Sequence, residues 1–188
     1  MSTFSEVVTG PLEVYLAPAG TAKPDISTDP PAGDWNLLGQ SGSENQTEDG
    51  VSIANSPSYE YFIGAGNIDP IKAYISEREQ TILINLADLH PDTVAIAFQS
   101  EVTENLGVRT VSLEGSNVPD EFAVVARGPS ALTDDEGKHS QWYWPRAANI
   151  SESEMEFVKA DPAAHELQFR KLSNPSEDAV YEVEEAES

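Results

Sequence analysis

Alternation constrains this chain more than any other feature. Apolar and polar residues repeatedly change sides with a period of two, and only one stretch has the period of a helix. In residues 11–17 (PLEVYLA), Leu12, Val14 and Leu16 face one way while Glu13 and Tyr15 face the other. In 79–87, Ile82, Ile84 and Leu86 oppose Thr81, Leu83 and Asn85. In 152–160, Glu152, Glu154 and Glu156 alternate with Met155 and Phe157. Further strand-like segments fall at 35–38, 51–54, 58–63, 71–76, 109–113, 122–127, 140–147, 166–172 and 180–183. The 13 Pro and 12 Gly stand between these segments rather than in one linker, as loops joining many strands require. Residues 51–54 and 58–63 are expected to pair as a hairpin around Asn55-Ser56-Pro57, with a further turn at Gly64-Ala65-Gly66-Asn67. The helix signal is Pro91 at the start, Asp92 in the first turn, and Val94, Ala95 and Phe98 at helical spacing, which predicts a helix over 91–100. So short a helix does not persist alone in water, so it must pack on a sheet. The expected fold is mainly β: a β-sandwich or partly closed barrel flanked by one α-helix. At 188 residues it is read as a single domain over 1–188, with a polar arm at 1–10, an extended loop or hairpin at 40–67 and an acidic end at 184–188.

Charge narrows the function. There are 33 Asp+Glu against 10 Lys+Arg, a formal net of −23. A field of that sign argues against nucleic-acid binding, membrane-surface binding and acidic substrates. It also costs the monomer self-repulsion that salt relieves, the Debye length falling from ~10 Å at 0.1 M to ~3 Å at 1 M. The acid excess therefore leans toward a saline, halophilic host. Zero Cys removes disulfides, thiolate chemistry and Cys-ligated metals together. No apolar run approaches the ~20 residues of a membrane helix. Residues 1–10 lack the basic and apolar regions of a secretory signal, so synthesis and folding in a cytoplasm are expected.

The chemical motifs are weak. Asp134-Asp135-Glu136-Gly137 clusters hard ligands but lacks the spacing of a calcium loop, and reads as a solvated hairpin tip. His90, His139 and His165 are too scattered for zinc; His90 reads as a loop residue before the helix, and the other two as exposed strand starts. Neither a Gly-x-Ser-x-Gly elbow nor a phosphate-binding glycine loop is present. No enzyme, no cofactor and no metal is expected. Trp142 and Trp144 share a strand face opposite Tyr143 and could stack a sugar, although such pairs more often serve as core or subunit contact. The Glu152, Glu154, Glu156 ladder places like charges about 6–7 Å apart on one strand face, a repulsion without evident benefit to a monomer. Glu77 and Glu79 form a shorter version, with Arg78 pointing the other way.

The order of these segments resembles the major tail tube proteins of long-tailed, siphovirus-like bacterial and archaeal viruses. The resembling stretches are 12–19 (LEVYLAPA), 33–50 (GDWNLLGQSGSENQTEDG), 66–89 ending in LADL, the helix after it, and 143–150 (YWPRAANI) leading into 152–169. The resemblance implies a structural virion protein located in the tail. Its subunits would form homohexameric rings that stack helically into a tube, with other tail proteins at the ends. Viral DNA would pass through an acidic lumen without specific binding. The same resemblance implies a hairpin reaching a neighbouring subunit, for which Glu44, Glu48, Asp49, Tyr59, Tyr61 and Phe62 are the candidates. The lumen-lining candidates are Glu77, Glu79, Glu152, Glu154 and Glu156. A β-sandwich module binding carbohydrate or calcium is the competing expectation, and a tail terminator or minor tail protein is a third.

Overall fold

The computed structural model describes residues 11–39, 46–63, 65, 69–132, 137–152 and 164–185. Within them run β1 (Glu13–Pro18), β2 (Asn36–Leu37), β3 (Gln46–Phe62), β4 (Lys72–Leu86), α1 (Pro91–Ala97), β5 (Val102–Asn105), β6 (Val108–Val111), β7 (Glu121–Pro129), β8 (His139–Asn149), β9 (His165–Lys171) and β10 (Val180–Val183). The fold is mainly β with one helix among the described residues, as the alternation predicts. Every strand pairing is antiparallel. The strand order is β2-β1-β7-β8-β9-β4-β3, with β10 also on β8 and β5–β6 as a separate hairpin. The sheet does not close into a barrel; it folds over into a sandwich.

β8 makes the fold-over possible. Its first part, Ser140 to Tyr143, pairs with β10, and its last part, Ala147 to Asn149, pairs with β9. Between them the β7 register slips, Phe122 opposing Ala147 but Val124 opposing Trp144. This is a bulge around Pro145, which has no N–H to give to a ladder. Val14, Leu16, Val124, Ala126 and Trp144 of one layer thereby meet Ile82, Ile84, Leu86, Leu167 and Phe169 of the other. Ile82, Ile84 and Leu86 are the inward set that alternation predicts, each almost fully buried.

A second, smaller core lies on the opposite face of β1, β7 and β8: Tyr15, Ala17, Ala123, Val125, Tyr143 and Trp35. Alternation would leave Tyr15 outward with Glu13. It is buried instead, because the loop after β1 folds back over it. Arg127 holds that loop down. Its guanidinium is buried, donates to the carbonyls of Thr28 and Asp25, and donates to Gln141 from Nε (3.1 Å) and Nη2. Gln141 donates in turn to the Pro24 carbonyl (3.2 Å). The Tyr143 hydroxyl reaches Thr21 O (2.8 Å) and the Glu177 carboxylate (2.7 Å); burial first, and Glu177 second, push its pKa well up.

α1 is shorter than the predicted 91–100. Its first turn is organised by Asp88, which accepts from the His90 N–H (2.8 Å) and the Thr93 hydroxyl (3.0 Å). His90 occupies the N-cap position without a side-chain cap bond. At the other end Asn149 Nδ2 donates to the Ile96 carbonyl (2.6 Å), which also accepts from the Gln99 N–H (3.1 Å), so the closing turn is tied to β8. Gly115 passes so near this end that a Cβ would lie 2.7 Å from the Phe98 carbonyl oxygen, at a φ of +58°.

The structure corrects two readings of the sequence. Residues 51–54 and 58–63 are not arms of one hairpin; both lie in β3, and both pair with β4. Asn55-Ser56-Pro57 runs straight on because β3 ends the strand order, and an edge strand tolerates the missing N–H of Pro57. The segments 71–76 and 79–87 likewise merge into β4, with Ser76 bulged where Ser58 opposes Glu77 but Tyr59 opposes Ile75. Nor is His165 exposed. It shares the inward face of Leu167 and Phe169, is 3% exposed, and has no described partner for either ring nitrogen. Burial lowers its pKa, with Asp88 opposing weakly, so the ring is neutral. His139 is partly buried, 3.4 Å from Glu184 and 3.7 Å from Asp29.

Candidate functional site

β3 and β4 form one hairpin whose two halves differ. In the near half, Val51 and Ile53 on β3 pack on the main core beside Ile82 and Ile84. Gly50 adopts a φ of +56° where β3 bulges between Gln46 and Val51, which a glycine does without strain. Beyond the Ser76 bulge the ladder continues with no described element packed on either face. Tyr59 pairs with Ile75, Glu60 with Tyr74, Tyr61 with Ala73 and Phe62 with Lys72. The Ile71 N–H donates to the Phe62 carbonyl (2.9 Å) as the chain reverses.

This far half is an exposed apolar arm. Tyr59 is 53% exposed, Tyr61 60%, Phe62 60%, Tyr74 50% and Ile75 44%. Ile63 and Ile71 beside the turn are exposed as well. Because directly opposed residues share a face, Tyr59, Tyr61 and Ile75 lie on the side that continues the core face, while Phe62 and Tyr74 lie on the other. Single exposed apolar residues are ordinary; this group is contiguous, the kind of patch that partners, ligands or membranes cover in other proteins. The polar residues tighten the arm itself: Tyr74 donates to Glu60 (2.5 Å), which raises the phenol pKa. Three of the sequence candidates, Tyr59, Tyr61 and Phe62, are therefore brought together at the arm tip. Glu44 lies outside the described residues. Glu48 and Asp49 lie in β3, and their side chains are not among those described.

The acidic candidates divide as well. Glu77 and Glu79 stand on the outer face of β4, where Arg170 of β9 spans both, Nη2 at 3.2 Å from Glu77 and Nε at 3.5 Å from Glu79. The register explains it, since Arg170 opposes Thr81 and so shares the odd-numbered face. These exposed pairs contribute at most about 1 kcal/mol each. Glu152 is exposed just beyond β8, following Ile150 and Ser151, which are tied to Gln168 of β9. Glu154 and Glu156, and the strand predicted over 152–160 beyond Glu152, lie outside the described residues.

The aromatic platform is not free. Trp144 is core, and Trp142 stacks on Tyr181 of β10 with ring centroids 4.5 Å apart. Sequence reading missed this contact, because β10 has only four residues and its register on β8 was not visible. Among the described residues no three His, Asp or Glu converge to hold a metal ion. No helix among them is long and apolar enough to cross a membrane. A scan against protein-family models and a search of curated proteins each found no match.

Proposed function

We propose that this chain is the repeating subunit of a viral tail tube, assembling with itself into rings that stack around a DNA conduit. The observation that carries the reading is the β3–β4 arm, an ordered ladder whose far half exposes Tyr59, Tyr61, Phe62, Tyr74 and Ile75. An arm of that composition gains stability only when another surface covers it. The outer edge of β3, which no described strand pairs, favours the same conclusion, since an uncovered edge recruits a partner. The excess of carboxylates suits a lumen that repels DNA weakly everywhere and holds it nowhere, whereas a basic wall would trap it by counterion release. Glu77, Glu79 and Glu152, with Glu154 and Glu156, are the residues proposed for that wall. The rings are proposed as hexamers in the tail of the virion, and no catalytic role is assigned.

Negative-stain microscopy of the concentrated protein, in salt approaching ~1 M to screen self-repulsion, tests the proposal. Rings or tubes of uniform diameter are expected. A chain that stays monomeric under those conditions overturns it.

A further inference from the structure

The β4–β9 ladder carries cations on both faces and treats them differently. On the outer face Arg170 is neutralised by Glu77 and Glu79. On the inner face Arg78 and Lys171 form no ion pair with any described residue, although acids outnumber bases 33 to 10 in the chain. Arg78 shares its face with Gln80 and Ile82, and Lys171 follows Arg170, so it falls on that same inner face. Diagonal neighbours in a sheet sit about 7–8 Å apart, close enough for two like charges to repel.

Both side chains line a groove of about 580 Å³ at the open seam of the sandwich, between β3–β4 and β10, with Asn55, Gln80 and Tyr181. Asp178 is the acid among the described lining residues, and it does not pair with either cation. The groove is continuous with the arm. Along β4 the same face runs from Ile82 through Gln80 and Arg78 to Ile75, and along β3 from Ile53 through Asn55 and Pro57 to Tyr59.

We propose that this groove is a receptor for carboxylates of a second copy of this chain, seated between Arg78 and Lys171 while the arm's apolar face covers the neighbouring surface. The inference rests on the self-assembly reading and names the polar contact that orients it. Charge complementarity selects the occupant: a partner with 33 Asp+Glu against 10 Lys+Arg offers many carboxylates, and two cations without a described acid partner, beside an apolar strip, suit a protein surface of that kind. Among the described strands, β3 and β10 each leave one edge unpaired, open to an extended segment. A stacked sugar fits less well, because Tyr181 already covers one face of Trp142.

Carbodiimide coupling, which joins a lysine amine to a touching carboxylate, provides the test on a mixture of unlabelled and ¹⁵N-labelled full-length chains. Peptides joining Lys171 of one label to an Asp or Glu of the other are expected. Cross-links of Lys171 confined to single chains overturn the inference. In parallel, Arg78→Gln with Lys171→Gln is expected to raise the concentration needed for assembly about tenfold or more, with the monomer's melting temperature unchanged. Wild-type assembly that the double substitution leaves untouched overturns this inference alone, as does retained assembly with lost binding to a uronate-containing oligosaccharide. A wild-type chain that never assembles overturns the self-assembly reading along with it.

Discussion

The near and far halves of the β3–β4 hairpin share two strands and one antiparallel ladder, shifted by a residue at Ser76, yet they are different materials. Ile82 and Ile84 in the near half are 1% and 0% exposed, whereas Tyr59 and Tyr61 in the far half are 53% and 60% exposed. Backbone hydrogen bonding is equivalent in both, so it does not distinguish them. What differs is the layer placed over the ladder: β1, β7 and β8 cover the near half and nothing described covers the far one. The comparison teaches that the far half presents apolar surface that no described residue covers, which is what the proposed assembly would use. The same contrast recurs across the ladder, where Arg170 pairs with Glu77 and Glu79, and Arg78 and Lys171 form no ion pair among the described residues.

The largest expected effect lies in the near half. Phe169 pairs across from Ile82, is fully buried and meets Phe122 edge-on at 5.9 Å. Phe169→Ala should cost about 3–5 kcal/mol by urea denaturation of the monomer; a loss below about 1 kcal/mol would erase the distinction between the halves. Next comes the loop that covers the second core. Arg127→Ala leaves Gln141 Oε1 and the Thr28 carbonyl without the guanidinium donor, and the Asp25 carbonyl with the Thr28 N–H alone, and should cost about 2–3 kcal/mol, with residues 18–34 becoming the first site of limited proteolysis.

A smaller effect is pH-dependent and belongs to the near half alone. His165 has a lowered pKa in the folded chain because burial disfavours its cation. The unfolded chain therefore binds more protons below about pH 6.5. Stability contributed by the neutral ring is complete above that value and lost as pH falls toward the depressed folded pKa, with a slope of at most about 1.4 kcal/mol per pH unit. His165→Phe should remove this component from a plot of unfolding free energy against pH; an unchanged slope would assign it to other groups. Smallest for the monomer is the arm. Tyr59→Ser with Tyr61→Ser should change monomer stability by no more than about 0.5 kcal/mol per site while abolishing assembly, read by sedimentation velocity.

Much of the near half was legible because alternation reports burial. The inward sets Leu12–Val14–Leu16 and Ile82–Ile84–Leu86 are where period two puts them, and the predicted 180–183 strand coincides with β10. Pro91 marked the start of α1 correctly. Less legible was whatever depends on distant chain. Tyr15 and His165 are buried by elements far away in sequence, and Arg127 finds its acceptors about a hundred residues upstream. Pro57 read as a turn because proline usually ends a ladder, and only the strand order shows that β3 is an edge. Of the candidate site, Tyr59, Tyr61 and Phe62 were named from sequence, and Tyr74 and Ile75 across the ladder were not. Arg78 was noted only as pointing away from Glu77 and Glu79, and the significance of Lys171 needed the register of β9 on β4.

Hydrogen exchange measured by mass spectrometry on dilute and on concentrated, salt-screened protein tests the central claim most directly. Peptides from 77–86 should be strongly protected in both samples, and peptides from 57–75 should gain protection only in the concentrated one. Equal, weak protection of 57–75 in both, with the protein concentrated and screened, would contradict the account.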